Sequence, residues 1–145
     1  MTNYTSAKVF VDTNVFLYAF DADAGRKRVL GSQLVRELWV SGEACLSVQV
    51  LQEFYVNATR KMTRPLSPTM AQRVVSYLST WTVHTPNTRD VLSAIELHQS
   101  KQLSFWDAMI VHSSVKLGCD TLYSEDLNAG QTIAGVKVVN PFEQV

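Results

Sequence analysis

The sequence predicts an α/β fold in which a mainly parallel sheet lies between helical layers. Three observations predict it. Short apolar, strand-like segments alternate with longer stretches of helical period, the order that βαβ units impose. The chain is 46% hydrophobic and 18% charged, enough apolar material for a core that covers both faces of a sheet. Its 145 residues suit one domain of common size, 1–145, with no composition shift or low-complexity linker to divide it.

Each element has a local reason. Lys8–Val11 is a β-branched and aromatic run that Asp12-Thr13-Asn14 breaks, and Asp12 or Asn14 can cap the helix that follows to Phe20. Arg26–Val40 carries Leu30, Leu34, Val35, Leu38 and Trp39 as a stripe of 3.6-residue period, and Ser41-Gly42 ends it. Ala44–Leu46 is a brief strand. Ser47 then caps a helix to about Arg60 with Leu51, Tyr55 and Ala58 on its inner face. Pro65-Leu66-Ser67-Pro68 is a turn into a helix over Thr69–Ser79, with Ser67 as cap and Pro68 in the first helical position. Thr82–Thr85 is the third strand candidate. Thr88–Gln102 and Ser104–Leu117 are helices, the latter stopped at Gly118, and Asp120–Tyr123 and Val136–Val139 are the last strands.

Composition narrows the function. The formal net charge is zero, so contact with a polyanion must rest on local patches. Cys45 and Cys119 lie in apolar runs and read as core residues, since free cysteine is among the most buried types, and no CxxC or Cys/His cluster suggests zinc. The N-terminal MTNYTSAK has no basic segment leading into an apolar one, and the longest apolar run, Val15–Phe20, falls short of the ~20 residues of a membrane span. A reduced, cytoplasmic protein is expected.

Connectivity brings four acids together. In an open parallel sheet, ligands bind outside the carboxyl ends of the strands. Asp12 follows the first strand and Asp126 follows the Asp120–Tyr123 strand. Glu53 lies on the helix leaving the second strand, about 9 Å beyond the strand end at 1.5 Å per residue. Asp107 opens a helix that leads into a strand, so that helix runs back along the sheet and its N-terminus returns to the same rim.

Each acid also has a plainer explanation. Asp107 stands three residues after Ser104, so Ser-x-x-Asp can be a capping box. Glu53 can be an exposed helix acid, and Asp12 and Asp126 can be turn or cap residues. Against this, the i±3 and i±4 neighbours of Glu53 and Asp107 include no basic residue, whereas surface acids often gain such support. Clustered carboxylates repel unless a cation sits among them. An all-oxygen set suits Mg²⁺ or Mn²⁺, and a cation-activated water is then the simplest attacking group. His84, His98 and His112 read as strand or helix-surface residues with no part in a site.

The segments VFVDTN at Val9–Asn14, LQEF around Glu53, LSFWDAMIV at Leu103–Val111 and LYSEDLN at Leu122–Asn128 together resemble the PIN-domain family. The likeness is greatest to its VapC-type toxins from toxin–antitoxin pairs, and it runs in order along almost the whole chain. The resemblance implies a three-layer α/β/α sandwich, Mg²⁺- or Mn²⁺-dependent cleavage of RNA, inhibition by a small antitoxin protein, and a homodimer. It makes Asp12 and Asp107 the central metal ligands, completed by Glu53 and Asp126. Thr13, Asn14 and Ser124 would orient those acids. Arg60, Lys61 and Arg64, at the end of the Glu53 helix, are candidates for RNA phosphate, although cations there also suit a helix C-terminus. Arg26-Lys27-Arg28 is read as a solvated face.

Two other readings fit an aspartate after the first strand. A phosphoaspartate phosphatase needs a second acid where Asn14 stands, and a receiver domain needs a lysine near the phosphoacceptor. Alternatively, the chain is a PIN-like module kept for protein binding, with its acids as relics.

Overall fold

The computed structural model describes residues 7–143. The reading of the first residues as no leader segment falls largely outside that range. Six strands form one sheet: β1 (Val9–Val11), β2 (Ala44–Ser47), β3 (Thr82–His84), β4 (Thr121–Tyr123), β5 (Thr132–Ile133) and β6 (Val136–Val139). Their order across the sheet is β3-β2-β1-β4-β6-β5, and every pairing is parallel except β5 with β6. The strands are nearly all apolar, and β2 is buried throughout, as strands covered on both faces must be.

Six helices cover the sheet: α1 (Thr13–Phe20), α2 (Arg26–Ser41), α3 (Val48–Arg60), α4 (Pro68–Leu78), α5 (Thr88–Lys101) and α6 (Phe105–Lys116). The first four pack against one another, while α5 and α6 form a separate pair, with α6 against the strands. A sheet between two helical groups is the three-layer α/β/α sandwich. From β1 the chain steps outward to β2 and β3, then crosses back to place β4 on the other side of β1. That reversal makes the gap between β1 and β4 the topological switch point, where open parallel sheets place ligands.

Helix ends follow the sequence signals. Ser47, Ser67 and Ser104 accept from the backbone N–H three residues on, at 3.4, 3.1 and 3.1 Å. Asn87 and Asp90 form a full capping box at the start of α5. At the end of α6, Gly118 takes the left-handed φ of 76°. Its N–H meets Val115 O and that of Cys119 meets Ser114 O, the paired bonds of a Schellman stop. A second glycine sets a helix contact: a Cβ on Gly31 would lie 3.1 Å from Ala19 N and Val15 O, so α2 approaches the backbone of α1 through a residue with no side chain.

The core runs through Phe10, Val11, Phe16, Leu46, Phe54, Leu78, Ile110 and Leu122. Burying side chains of this size contributes about 1.5–3 kcal/mol each. Cys45 and Cys119 are free and buried as expected.

Several details differ from the sequence reading. Of the expected inner face of α3, Ala58 is buried and Leu51 packs on the core, but Tyr55 is exposed and its neighbour Phe54 is buried in its place, with Val50. Trp39 is 45% exposed and meets Tyr77 and Trp81 edge-on, so it edges the α2 layer. His84 is not a surface residue. It is buried, with Nδ1 2.7 Å from Ser113 Oγ and Nε2 3.3 Å from Asp90, and His112 Nε2 reaches the other Asp90 oxygen at 2.8 Å. Finally, the two-residue β5 was not foreseen. It is too short to show a period, and its pairing depends on the turn through Ala134 and Gly135, both at positive φ.

Candidate active site

Asp12 joins fold and site. It is the N-cap of α1, so one carboxylate oxygen accepts the Thr13 N–H at 2.7 Å. The other accepts the Ser124 hydroxyl at 2.8 Å, from the segment just after β4. The side chain is only 5% exposed. Burial is the main reason its pKa rises from 3.8 to about 7; the bonds from Ser124 and Thr13 pull it down, and the charges of Asp126 and Glu53 push it up.

The other acids are held by neutral donors. Thr13 Oγ1 donates to Glu53 at 2.7 Å and Gln49 Nε2 donates to its second oxygen at 3.1 Å. Asn14 Nδ2 donates to Asp126 at 3.1 Å, and the Asp126 N–H donates to Ser124 Oγ at 3.1 Å. Asn14 also accepts the Glu125 N–H at 3.3 Å, so the same amide ties α1 to the loop after β4. Asp107 lies in the first turn of α6, its N–H capped by Ser104. Burial raises its pKa first of all, with the Asp126 and Glu53 charges adding to the rise and Ser104 opposing it. Among the described residues the reciprocal half of a Ser104–Asp107 box is not formed, and Asp107 lines the pocket.

All four predicted acids line one cavity of about 210 Å³, together with Thr13, Asn14, Gln49 and Trp106. Ser124, predicted to orient the acids, bonds Asp12 and Asp126 from beneath. Sequence reasoning missed Gln49, four residues before Glu53 on α3. That i,i+4 spacing is the signal that could have found it. Gln49 Nε2 also donates to the Trp106 carbonyl at 3.3 Å, tying α3 to α6, and its Oε1 is buried with no hydrogen-bond partner.

The donor set fits a hard divalent cation. Every donor is oxygen, the most buried carboxyl of the four has its pKa raised to about 7, and a buried amide oxygen lacks a partner. A cation suits the first and would offset the other two. Among the described residues no three His, Cys, Asp or Glu side chains stand as a preformed ligand cage. Mg²⁺ does not need one, because it keeps several waters and takes one or two carboxylates.

The cations proposed for RNA separate. Lys61 lines a cleft that adjoins the acid pocket, Arg64 is exposed and 3.5 Å from Asp23, and Arg60 is exposed in the last turn of α3. Lys27 is not simply solvated. It pairs with Glu125 and stands over the Tyr18 ring at 4.8 Å, and Tyr18 OH donates to Glu125 at 2.6 Å. This clamp anchors the loop that carries Asp126. Burial acts to raise the Glu125 pKa, but Lys27 and Tyr18 outweigh it and leave it lowered.

The family model of the PIN domain matches residues 9–132, from the first strand through the whole acid pocket. The chain belongs to the PIN-domain family. Its fold is shared with a toxin–antitoxin complex from Klebsiella pneumoniae, at 22% identity, TM-score 0.69, and 96% of this chain and 100% of the other covered. It is also similar to VapC20 of Mycobacterium tuberculosis, described as a sarcin-ricin loop cleaving toxin, at 20% identity and TM-score 0.62, covering 82% and 90%. DNA-bound VapBC from Salmonella typhimurium matches at 18% identity and TM-score 0.62, covering 92% and 97%. No curated protein matched it by sequence. No helix among the described residues is long and apolar enough to cross a membrane.

Proposed function

We propose that this PIN-domain protein is a metal-dependent endoribonuclease of the VapC type, the toxin of a toxin–antitoxin pair acting in the cytoplasm. The observation that carries the reading is the convergence of Asp12, Glu53, Asp107 and Asp126 on one pocket at the β1/β4 switch point. Asp12 and Asp107 would hold Mg²⁺ or Mn²⁺, with Glu53 and Asp126 completing the site directly or through water. When bound, the cation supplies activation of the attacking water and neutralises charge at the scissile phosphate. The chain's part is orientation. Thr13 and Gln49 fix Glu53, Asn14 fixes Asp126, and Ser124 fixes Asp12, so the acid oxygens are preset by bonds that need no rearrangement.

The antitoxin is supported by a groove on the far side of α1. Phe20, Val35, Trp39, Met70, Val74 and Tyr77 line an apolar depression of about 280 Å³ between α2 and α4. Phe20, Trp39, Met70 and Tyr77 are each more than a third exposed. An unpartnered apolar face of this kind marks a protein-interaction surface, and two of the similar structures are toxin–antitoxin assemblies. A homodimer belongs to the same reading. The phosphoaspartate alternative loses its lysine, because Lys101 and Lys116 lie in the last turns of α5 and α6, while the α6 acid is in its first turn.

The test is RNA cleavage by purified protein. Asp107→Asn, nearly isosteric, should abolish cutting, and so should EDTA, with Mn²⁺ restoring the wild type alone. Equal cleavage by the variant, or undiminished cleavage in EDTA, would refute the mechanism.

A further inference from the structure

Trp106 is the second residue of α6, immediately before Asp107. Its backbone is pinned: the carbonyl accepts from Gln49, and the ring meets Phe105 edge-on at 4.9 Å between centroids. Yet the residue is 61% exposed while bordering the acid pocket. A large aromatic fixed in the first turn of a helix, exposed and beside a polar pocket, offers a flat apolar face on which a nucleic-acid base can stack.

Across the acids, α1 and the end of α3 enclose a second cleft of about 400 Å³ that shares Asn14, Leu17 and Asn57 with the acid pocket. It is also lined by Tyr18, Asp21, Lys61 and Met62. The two spaces therefore form one track, with the Lys61 ammonium, the Asp21 carboxylate and two amide groups at one end, the clustered carboxylates in the middle and an indole at the other. A nucleotide needs these parts: a cation for phosphate, amides for a base edge and an apolar or aromatic surface for a base face.

We propose that Trp106 stacks on a base of the RNA on one side of the scissile phosphate, while the Asn57–Lys61 cleft receives the nucleotide on the other side. Trp106 is thus a positioning residue, and it requires an unpaired base, since a stacked, paired one cannot reach the ring. The proposal rests on the ribonuclease reading above.

The test uses the full chain and a fully 2′-O-methylated single-stranded oligonucleotide, which binds without being cut. Trp106→Ala should weaken binding on the order of 5- to 150-fold, the range of one base–aromatic contact. Trp106→Phe should restore most of it. In cleavage of unmodified RNA the loss should fall on KM far more than on kcat. Indole emission should be quenched by the oligonucleotide in the wild type and not in Trp106→Phe. Lys61→Ala should lower the salt dependence of binding by about one ion. If Trp106→Ala cuts and binds as the wild type does, the stacking assignment fails and the nuclease reading stands. The same holds if its only effect is a changed molecular mass in solution, which would make the indole an interface residue. If the wild type neither binds nor cuts RNA, both fall together.

Discussion

Asp12→Asn should make the metal-free protein more stable, although it destroys the proposed site. Asp12 ionises at 3.8 in an ordinary setting and at about 7 here, chiefly because burial removes water from the carboxylate. Ionising it in the folded chain therefore costs roughly 4 kcal/mol that the unfolded chain escapes. Because the folded pKa lies above the unfolded one, stability from this group is full below pH 3.8, falls as pH rises towards 7, and is flat above. Asparagine removes that dependence. It caps about as well as aspartate and can keep the Thr13 N–H, but it turns an amide N–H₂ toward the Ser124 hydroxyl that had donated to the carboxylate, which costs about 1–2 kcal/mol. The variant should then be about 2–3 kcal/mol more stable at pH 8 in EDTA, and slightly less stable at pH 4.

Urea unfolding followed by circular dichroism at several pH values measures this difference, and titrating groups away from the pocket cancel between the two proteins. Saturating Mg²⁺ at a hundredfold over its Kd should add about 2.7 kcal/mol to the wild type alone and close the gap. A wild type as stable as Asp12→Asn at pH 8 without metal would refute the reasoning, as would a difference independent of pH.

Two further expectations concern the supports around the acids. Ser124 is fully buried, donating to Asp12 and accepting from the Asp126 N–H, so Ser124→Ala strands partners on two acids; Mn²⁺ affinity by calorimetric titration should fall roughly 10- to 100-fold, and an unchanged affinity would remove Ser124 from the site. Asp90 is held at about 2 by the Asn87 N–H and by His112, so its stabilisation is present above its unfolded pKa near 4 and is lost as pH falls towards 2. Burial lowers the His84 pKa despite Asp90, so protonating it as pH drops below about 6.5 also destabilises the fold. Asp90→Asn should flatten the acid limb below pH 4 by roughly 1–2 kcal/mol in thermal or urea unfolding, and an unaltered limb would show that other carboxylates set it.

What the sequence disclosed depended on range. Caps such as Ser47, Ser67 and Ser104 are decided within one turn, and all three act as predicted. The acid rim was legible because strand order and helix direction are enough to place Asp12, Glu53, Asp107 and Asp126 at the carboxyl edge, whatever their rotamers. Features resting on one residue of phase or on a distant partner were not legible. Phe54 and Tyr55 are adjacent aromatics, and only packing against the sheet decides which is buried. His84 became a core residue because Asp90 and Ser113, from two helices, satisfy both ring nitrogens. Lys27 is drawn into an ion pair because Glu125, 98 positions away, sits beside it.

The same residues serve the fold and the site, which is why the acids stay together before any cation binds. Asp12 caps α1 and Asp107 lies in the first turn of α6. At both places the helix dipole and free N–H groups favour a carboxylate by about 0.3–1 kcal/mol or more. Glu53 and Asp126 lack that help, being in mid-helix and in a loop, and they are instead held by Thr13, Gln49 and Asn14. Thr13 and Asn14, which directly follow Asp12 on the chain, hold Glu53 and Asp126, so the first turn of α1 sets the spacing of acids from two other segments. A pocket built this way tolerates like charges through neutral donors rather than through arginine or lysine. It therefore leaves its negative charge unspent for a cation, and a net charge of zero over the whole chain is no obstacle to binding one.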